Sequence, residues 1–245
     1  MNKMNLSEMT WQGSDGVLAQ ARAKARKLKR EGNFLPAHSL LLSTYISIGV
    51  SVSALKKVFY FFCAMWHAHV LYKCAAYLDH SQLDVLLGFY IGMYKRSALL
   101  FFLAGPPKQV ILDLAQLQQR KMIAAISTIR PCEIALGNMT SAEVYRWFVP
   151  DADVYDNQQW MTYLGHALSM KRKVFEEEPR LQALRQWVRV LRRAGEVHAD
   201  VNPSRAYELL KSALELAQGE ANAPEQVKKI LPLMHAFELE EENKK

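Results

Sequence analysis

Cys63, His67, His69, Cys74 and His80 form the densest group of side chains able to bind a metal or pair as nucleophile and base. Cys63 and His67, four apart, would share one face of a helix, a workable geometry for two zinc ligands. Cys74, seven beyond His67, would lie two turns along the same side. The group sits in the most apolar part of the chain, where cysteine behaves as a small hydrophobe, so packing outweighs ligation. A second group, Asp151, Asp153, Asp156 and Asn157, has the look of a calcium loop. An EF-hand places Gly at its sixth position and Glu at its twelfth, and this sequence has Asp156 and Thr162 there. It reads as an acidic surface loop with helix-capping side chains. No phosphate-cradling glycine loop, nucleophile elbow, HExxH or CxxC is present. The expectation is a protein with no catalytic residues, no metal and no cofactor.

Two runs of basic residues suit anion contact instead. Arg22, Lys24, Arg26, Lys27, Lys29 and Arg30 crowd one short segment, and Arg185, Arg189, Arg192 and Arg193 follow helical spacing with Trp187 among them. Cations with an aromatic neighbour are what phosphate contact and base stacking need. Solvated helix surface is the competing account, since Glu176, Glu177 and Glu178 lie close to the second run. The 245 residues carry a net charge of +7, which favours anionic partners and says nothing of fold.

The elements that would carry these residues are helical throughout. Gly and Pro number only 11 and 9 and fall where helices should stop. Turns are expected at Gly32-Asn33, Gly49, Asp79 to Ser81, Gly105 to Pro107, Arg130-Pro131, Glu178-Pro179, Gly195 to Pro203, Gly219 to Pro224 and Pro232. Residues 40–62 are rich in β-formers, yet Leu41, Leu42, Tyr45 and Ile48 keep three-and-four spacing, which is helical. Asn202-Pro203 marks a helix start, with Asn as N-cap and Pro at the first helical position. From residue 17 to about 104, helices of about 13–15 residues should alternate antiparallel.

The expected organisation is an N-terminal tail at 1–16, an apolar, aromatic-rich helical body at 17–149 and a linker at 150–157. A C-terminal amphipathic helical unit at 158–237 and a charged tail at 238–245 follow. The first 16 residues hold Glu8 and Asp15 and no apolar run, unlike a secretory signal. The longest charge-free apolar window, 58–72, is too short to span a bilayer. Three scattered cysteines give no disulfide framework and point to a reducing compartment. The cytoplasm and the mitochondrial matrix both fit, the latter because 18–30 is basic and acid-free.

The pattern Leu41, Leu42, Tyr45, Gly49 and Ala54 resembles a pentatricopeptide repeat, in which a small residue ends one helix and Ala lets the next pack close. Gly32, Phe34, Ala37 and Leu41, preceded by Ala25 and Leu28, resemble the tetratricopeptide form. Trp187, Val188, Leu191, Ala194 and Gly195 followed by Ala206, Tyr207, Leu209 and Leu210 resemble a third unit. Gly32 and Gly49 lie 17 apart, half a repeat, and no period near 34 is sustained. The resemblance implies an all-α fold of stacked antiparallel helical hairpins, repeat-like or an irregular bundle, used for binding.

The leading expectation is therefore a non-catalytic helical scaffold or adaptor, a subunit of a larger assembly that acts through protein–protein contacts. The alternative is an RNA-binding helical-repeat protein of an organellar ribonucleoprotein, with Arg22, Arg26, Lys27, Lys29, Arg30, Arg185, Arg189, Arg192 and Arg193 as contacts. A metal-dependent or Cys–His enzyme built on Cys63, His67, His69 and Cys74 stands third.

Overall fold

A computed structural model describes residues 14–51, 54–96, 105–149 and 159–242. Among these residues every regular element is a helix and none is a strand. The chain divides into two compact units, Met1–Met93 and Tyr94–Lys245. The boundary falls upstream of the compositional shift near 131–160, and residues 150–157 lie outside the described residues.

The first unit contains α1 (Ser14–Arg30), α2 (Phe34–Ser51), α3 (Ala54–Lys73), a 3-10 turn at Ala75–Tyr77 and most of α4 (His80–Arg96). α2 is the middle helix and packs against both α1 and α3. Its Ala37, Leu41, Leu42, Tyr45 and Ile48 are buried, the three-and-four row that its sequence carries. Each fully buried leucine of this kind contributes roughly 1.5–3 kcal/mol. Gly32 ends α1 at φ +78°, a left-handed conformation that glycine adopts without steric strain. There the Asn33 N–H donates to the Leu28 carbonyl at 2.8 Å, closing the helix end. Asp79 and Gln82 exchange backbone-to-side-chain bonds of 2.8 and 3.1 Å, a reciprocal cap that starts α4.

Two expectations are corrected here. Gly49 is no turn, because α2 continues through it to Ser51. A Cβ added there would lie 3.7 Å from the Tyr60 Cβ of α3, an ordinary contact, so the packing leaves room for a side chain at this position. The helices are also longer than expected, at 17, 18 and 20 residues for α1, α2 and α3. Residues 40–51 and 54–62 are helical, which disposes of the strand alternative for those positions. The Ala54 side chain lies outside the described residues.

The second unit contains α5 (Lys108–Ala124), α6 (Pro131–Phe148), α7 (Gln159–Ser169), α8 (Lys171–Glu177), α9 (Arg180–His198), α10 (Pro203–Gln218) and α11 (Pro224–Glu242). α6 and α9 are its hubs, each packing on several neighbours. The core joins Met139 and Tyr145 of α6, Trp160 and Leu164 of α7, Trp187 and Leu191 of α9, Leu210 of α10 and Ile230 of α11. Asn202 caps α10 as its sequence announces, accepting from the Arg205 N–H at 3.0 Å. Gly195 and Pro232, expected at turns, are inside α9 and α11. At Gly195 an added Cβ would meet Leu210 Cγ at 2.7 Å and the Ala206 carbonyl at 3.2 Å. The glycine is there because two helices cross on it.

Candidate functional site

α3 has a buried face and a bare one. Tyr60, Ala64, His67, Ala68 and Leu71 turn inward. Phe61 leans toward α4, its ring 6.3 Å from Phe89. Phe59, Phe62 and Trp66 are left outside at 58, 65 and 66% exposure, with Val58 beside them. His69 and Lys73, also exposed, continue the row. Four consecutive aromatics, Phe59 to Phe62, cannot all point one way on a helix. α2 and α4 account for Tyr60 and Phe61, and the other two face water. Exposed large apolar side chains grouped on one face mark an interaction surface.

Behind that face lies a small polar cluster. The Nδ1 atoms of His38 and His67 are 2.9 Å apart, a separation at which one ring donates and the other accepts. His67 stacks on Tyr45 at 5.6 Å between ring centroids, and Arg22 of α1 donates to the Tyr45 hydroxyl at 3.2 Å. Burial, then the neighbouring His38 and Lys29, push His67 down to about 4, so the pair is neutral near pH 7. The Nδ1 of His67 is thus engaged by His38. No group of three metal-ligating side chains occurs among the described residues. Cys63 and Cys74 are half-buried, and His69 points outward. Cys132 is buried at the start of α6, and burial raises its thiol to about 12, where it is inert as a nucleophile.

The first basic run lies mostly at the surface of α1. Lys24, Arg26, Lys27 and Arg30 are exposed on α1, Lys29 is half-buried, and Lys27 has Glu31 4.0 Å away. Leu18 and Ala25 are the buried positions of α1, with Val17, Ala21, Leu28 and Lys29 half-buried beside them.

The second run does not stay together. Arg193 turns into the unit, where its Nη2 and Nε donate to both carboxylate oxygens of Glu143 at 2.9 and 3.1 Å and Nη2 also reaches Thr140 Oγ1 at 2.9 Å. Arg192 pairs with Glu196 and donates to Gln226 Oε1 at 3.1 Å. Lys95 joins them, 3.4 Å from Glu143 and 2.9 Å from Glu196. Glu143 is 4% exposed. Its burial favours the neutral acid, but Arg193 and Lys95 prevail and hold it at about 2. Arg193 is therefore a structural cation and not an outward contact. Arg185 and Arg189 remain at the surface; the first donates to the Ala221 carbonyl at 3.1 Å and the second to Gln186 at 3.3 Å. Helical spacing placed all four arginines correctly on α9. Which of them met a buried carboxylate depended on Glu143, 50 residues away.

A groove of about 870 Å³ runs along α10, floored by Trp187, Leu191 and Leu209. Its rim mixes Arg205, Lys211, Glu208 and Glu215, so it presents no single sign of charge. The acidic segment Asp151 to Asn157 lies outside the described residues, as do the tail residues 243–245. Among the described residues no helix is long and apolar enough to cross a membrane. Compared with known protein families, with curated proteins and with solved structures, the chain matches none.

Proposed function

We propose that this protein is a non-catalytic helical adaptor, a subunit that joins a larger assembly through protein–protein contacts, built from helical hairpins in the manner of a repeat stack. The bare aromatic row on α3 carries this reading. Phe59, Phe62 and Trp66 stand exposed together on one helix, and burying such a row against a partner is favourable. The α10 groove, apolar in its floor and mixed in charge at its rim, fits the same use. The test is the native size of the chain in an extract of the cells that make it. The wild-type chain should migrate in a complex with other proteins, and the double variant Phe62→Glu, Trp66→Glu should migrate free. A wild-type chain that migrates as a single free copy overturns the reading.

A second reading, RNA binding, is favoured by the exposed cations of α1. Phosphate contact predicts an affinity that falls steeply with salt. Of the second basic run, only Arg185 and Arg189 stay in this reading as surface contacts, since Arg192 and Arg193 are occupied by Glu196 and Glu143.

A further inference from the structure

We infer that the outward face of α3 seats one acidic helix of a protein partner, a deepening that rests on the adaptor reading above. The argument begins with spacing. Phe59, Phe62, Trp66, His69 and Lys73 follow one another at three, four, three and four residues. That alternation is the a/d row of a two-helix seam, in which each side chain enters a hole on a facing helix. The three aromatics are exposed, and the last two positions continue the row along the same face of α3.

Charge selects the occupant. Between Gly16 and Leu78 the chain carries nine Lys or Arg residues and a single carboxylate, Glu31. α3 itself has no acidic residue, and Lys73 ends the seam with a cation on its axis. A facing helix with Asp or Glu beside its apolar row would complement this field, and opposite charges flanking a seam set partner choice. A second copy of the chain would bring a like-charged surface to the same place. A lipid surface would meet a row that turns polar at His69 and Lys73 along its own axis, whereas a lipid-inserting helix keeps its cations on the opposite face. The row lies on the side of α3 opposite Tyr60, Ala64, Ala68 and Leu71, which are buried.

The test places a benzophenone amino acid at position 62 of the full chain, in the cells that make it, and maps the photo-cross-link by mass spectrometry. Phe62 is 65% exposed, so the substitution leaves the fold intact, which a thermal melt checks. Cross-links should fall on one helical segment of a different protein, with apolar residues at three-and-four spacing and an excess of Asp and Glu. Lys73→Glu should lower the yield about two- to fivefold, the range of one solvent-exposed ion pair. Adducts to lipid, to RNA, to another copy of this chain or to a segment that is neither helical nor acidic overturn the inference. If no cross-link forms while the chain still migrates in a complex, the helix assignment falls and the adaptor reading stands. If no cross-link forms and the chain migrates free, both fall.

Discussion

At the scale of single residues, Glu143 is the most consequential side chain outside the apolar core. A carboxylate 4% exposed is tolerated because Arg193 grips both of its oxygens and Lys95 stands close. Arg193→Ala would leave that buried charge with Lys95 at 3.4 Å as its one remaining cationic contact, and the expected loss is about 3–5 kcal/mol in denaturant unfolding. The pH dependence has a definite sign. The folded-state pKa of Glu143 lies below its ordinary value of 4.5, at about 2. Its contribution is present above 4.5 and is lost as pH falls from there to about 2. His67 acts earlier. Its folded value of about 4 lies below the ordinary 6.5, so protons bind the unfolded chain more readily between those values. Stability of the first unit should decline as pH falls from 6.5 to 4. Amide exchange of α2 and α3 followed across that range reports it, and His67→Gln should flatten the slope.

At the scale of elements, the small residues explain how closely the helices approach. Gly195 sits where α9 crosses α10, with Leu210 and the Ala206 carbonyl in the space a side chain would need. Gly195→Ala raises helix propensity, yet it must displace Leu210 and crowd a backbone oxygen. The net loss should be about 1–3 kcal/mol by overpacking, read as a lowered melting temperature; an unchanged or raised value would show that α10 yields. Proline behaves less uniformly. Pro131 and Pro203 open helices at positions where a missing N–H is harmless, whereas Pro232 lies inside α11.

At the scale of the whole molecule, charge is unevenly shared. Residues 1–93 hold ten basic and five acidic side chains, and residues 94–245 hold 21 and 19. Long-range attraction for anionic partners therefore belongs to the first unit. If RNA is bound, Arg26→Glu with Arg30→Glu should weaken it and flatten the salt dependence of log affinity by about one per lost phosphate contact. Arg193→Glu should instead destabilise the second unit, because it sets a carboxylate against Glu143. Comparing RNA affinity with melting temperature for the two variants separates contact from architecture.

Much of the all-helical character was legible in residue order, because three-and-four spacing, Asn202-Pro203 and Gly32 act within a few positions of themselves. The aromatic density of α3 does not by itself say which rings are buried. Only the packing divided it, since Tyr60 and Phe61 met α2 and α4 while Phe59, Phe62 and Trp66 met nothing that would bury them. The same limit applied to charge. Spacing put Arg185, Arg189, Arg192 and Arg193 along one helix, and a buried glutamate on α6 took one of them out of the surface. Gly49 and Gly195 looked like stops because glycine weakens a helix. In the folded chain both lie within helices; at Gly195 a neighbouring helix occupies the space of a side chain, whereas at Gly49 a Cβ would meet Tyr60 at an ordinary 3.7 Å, and such distances are set by tertiary contact alone.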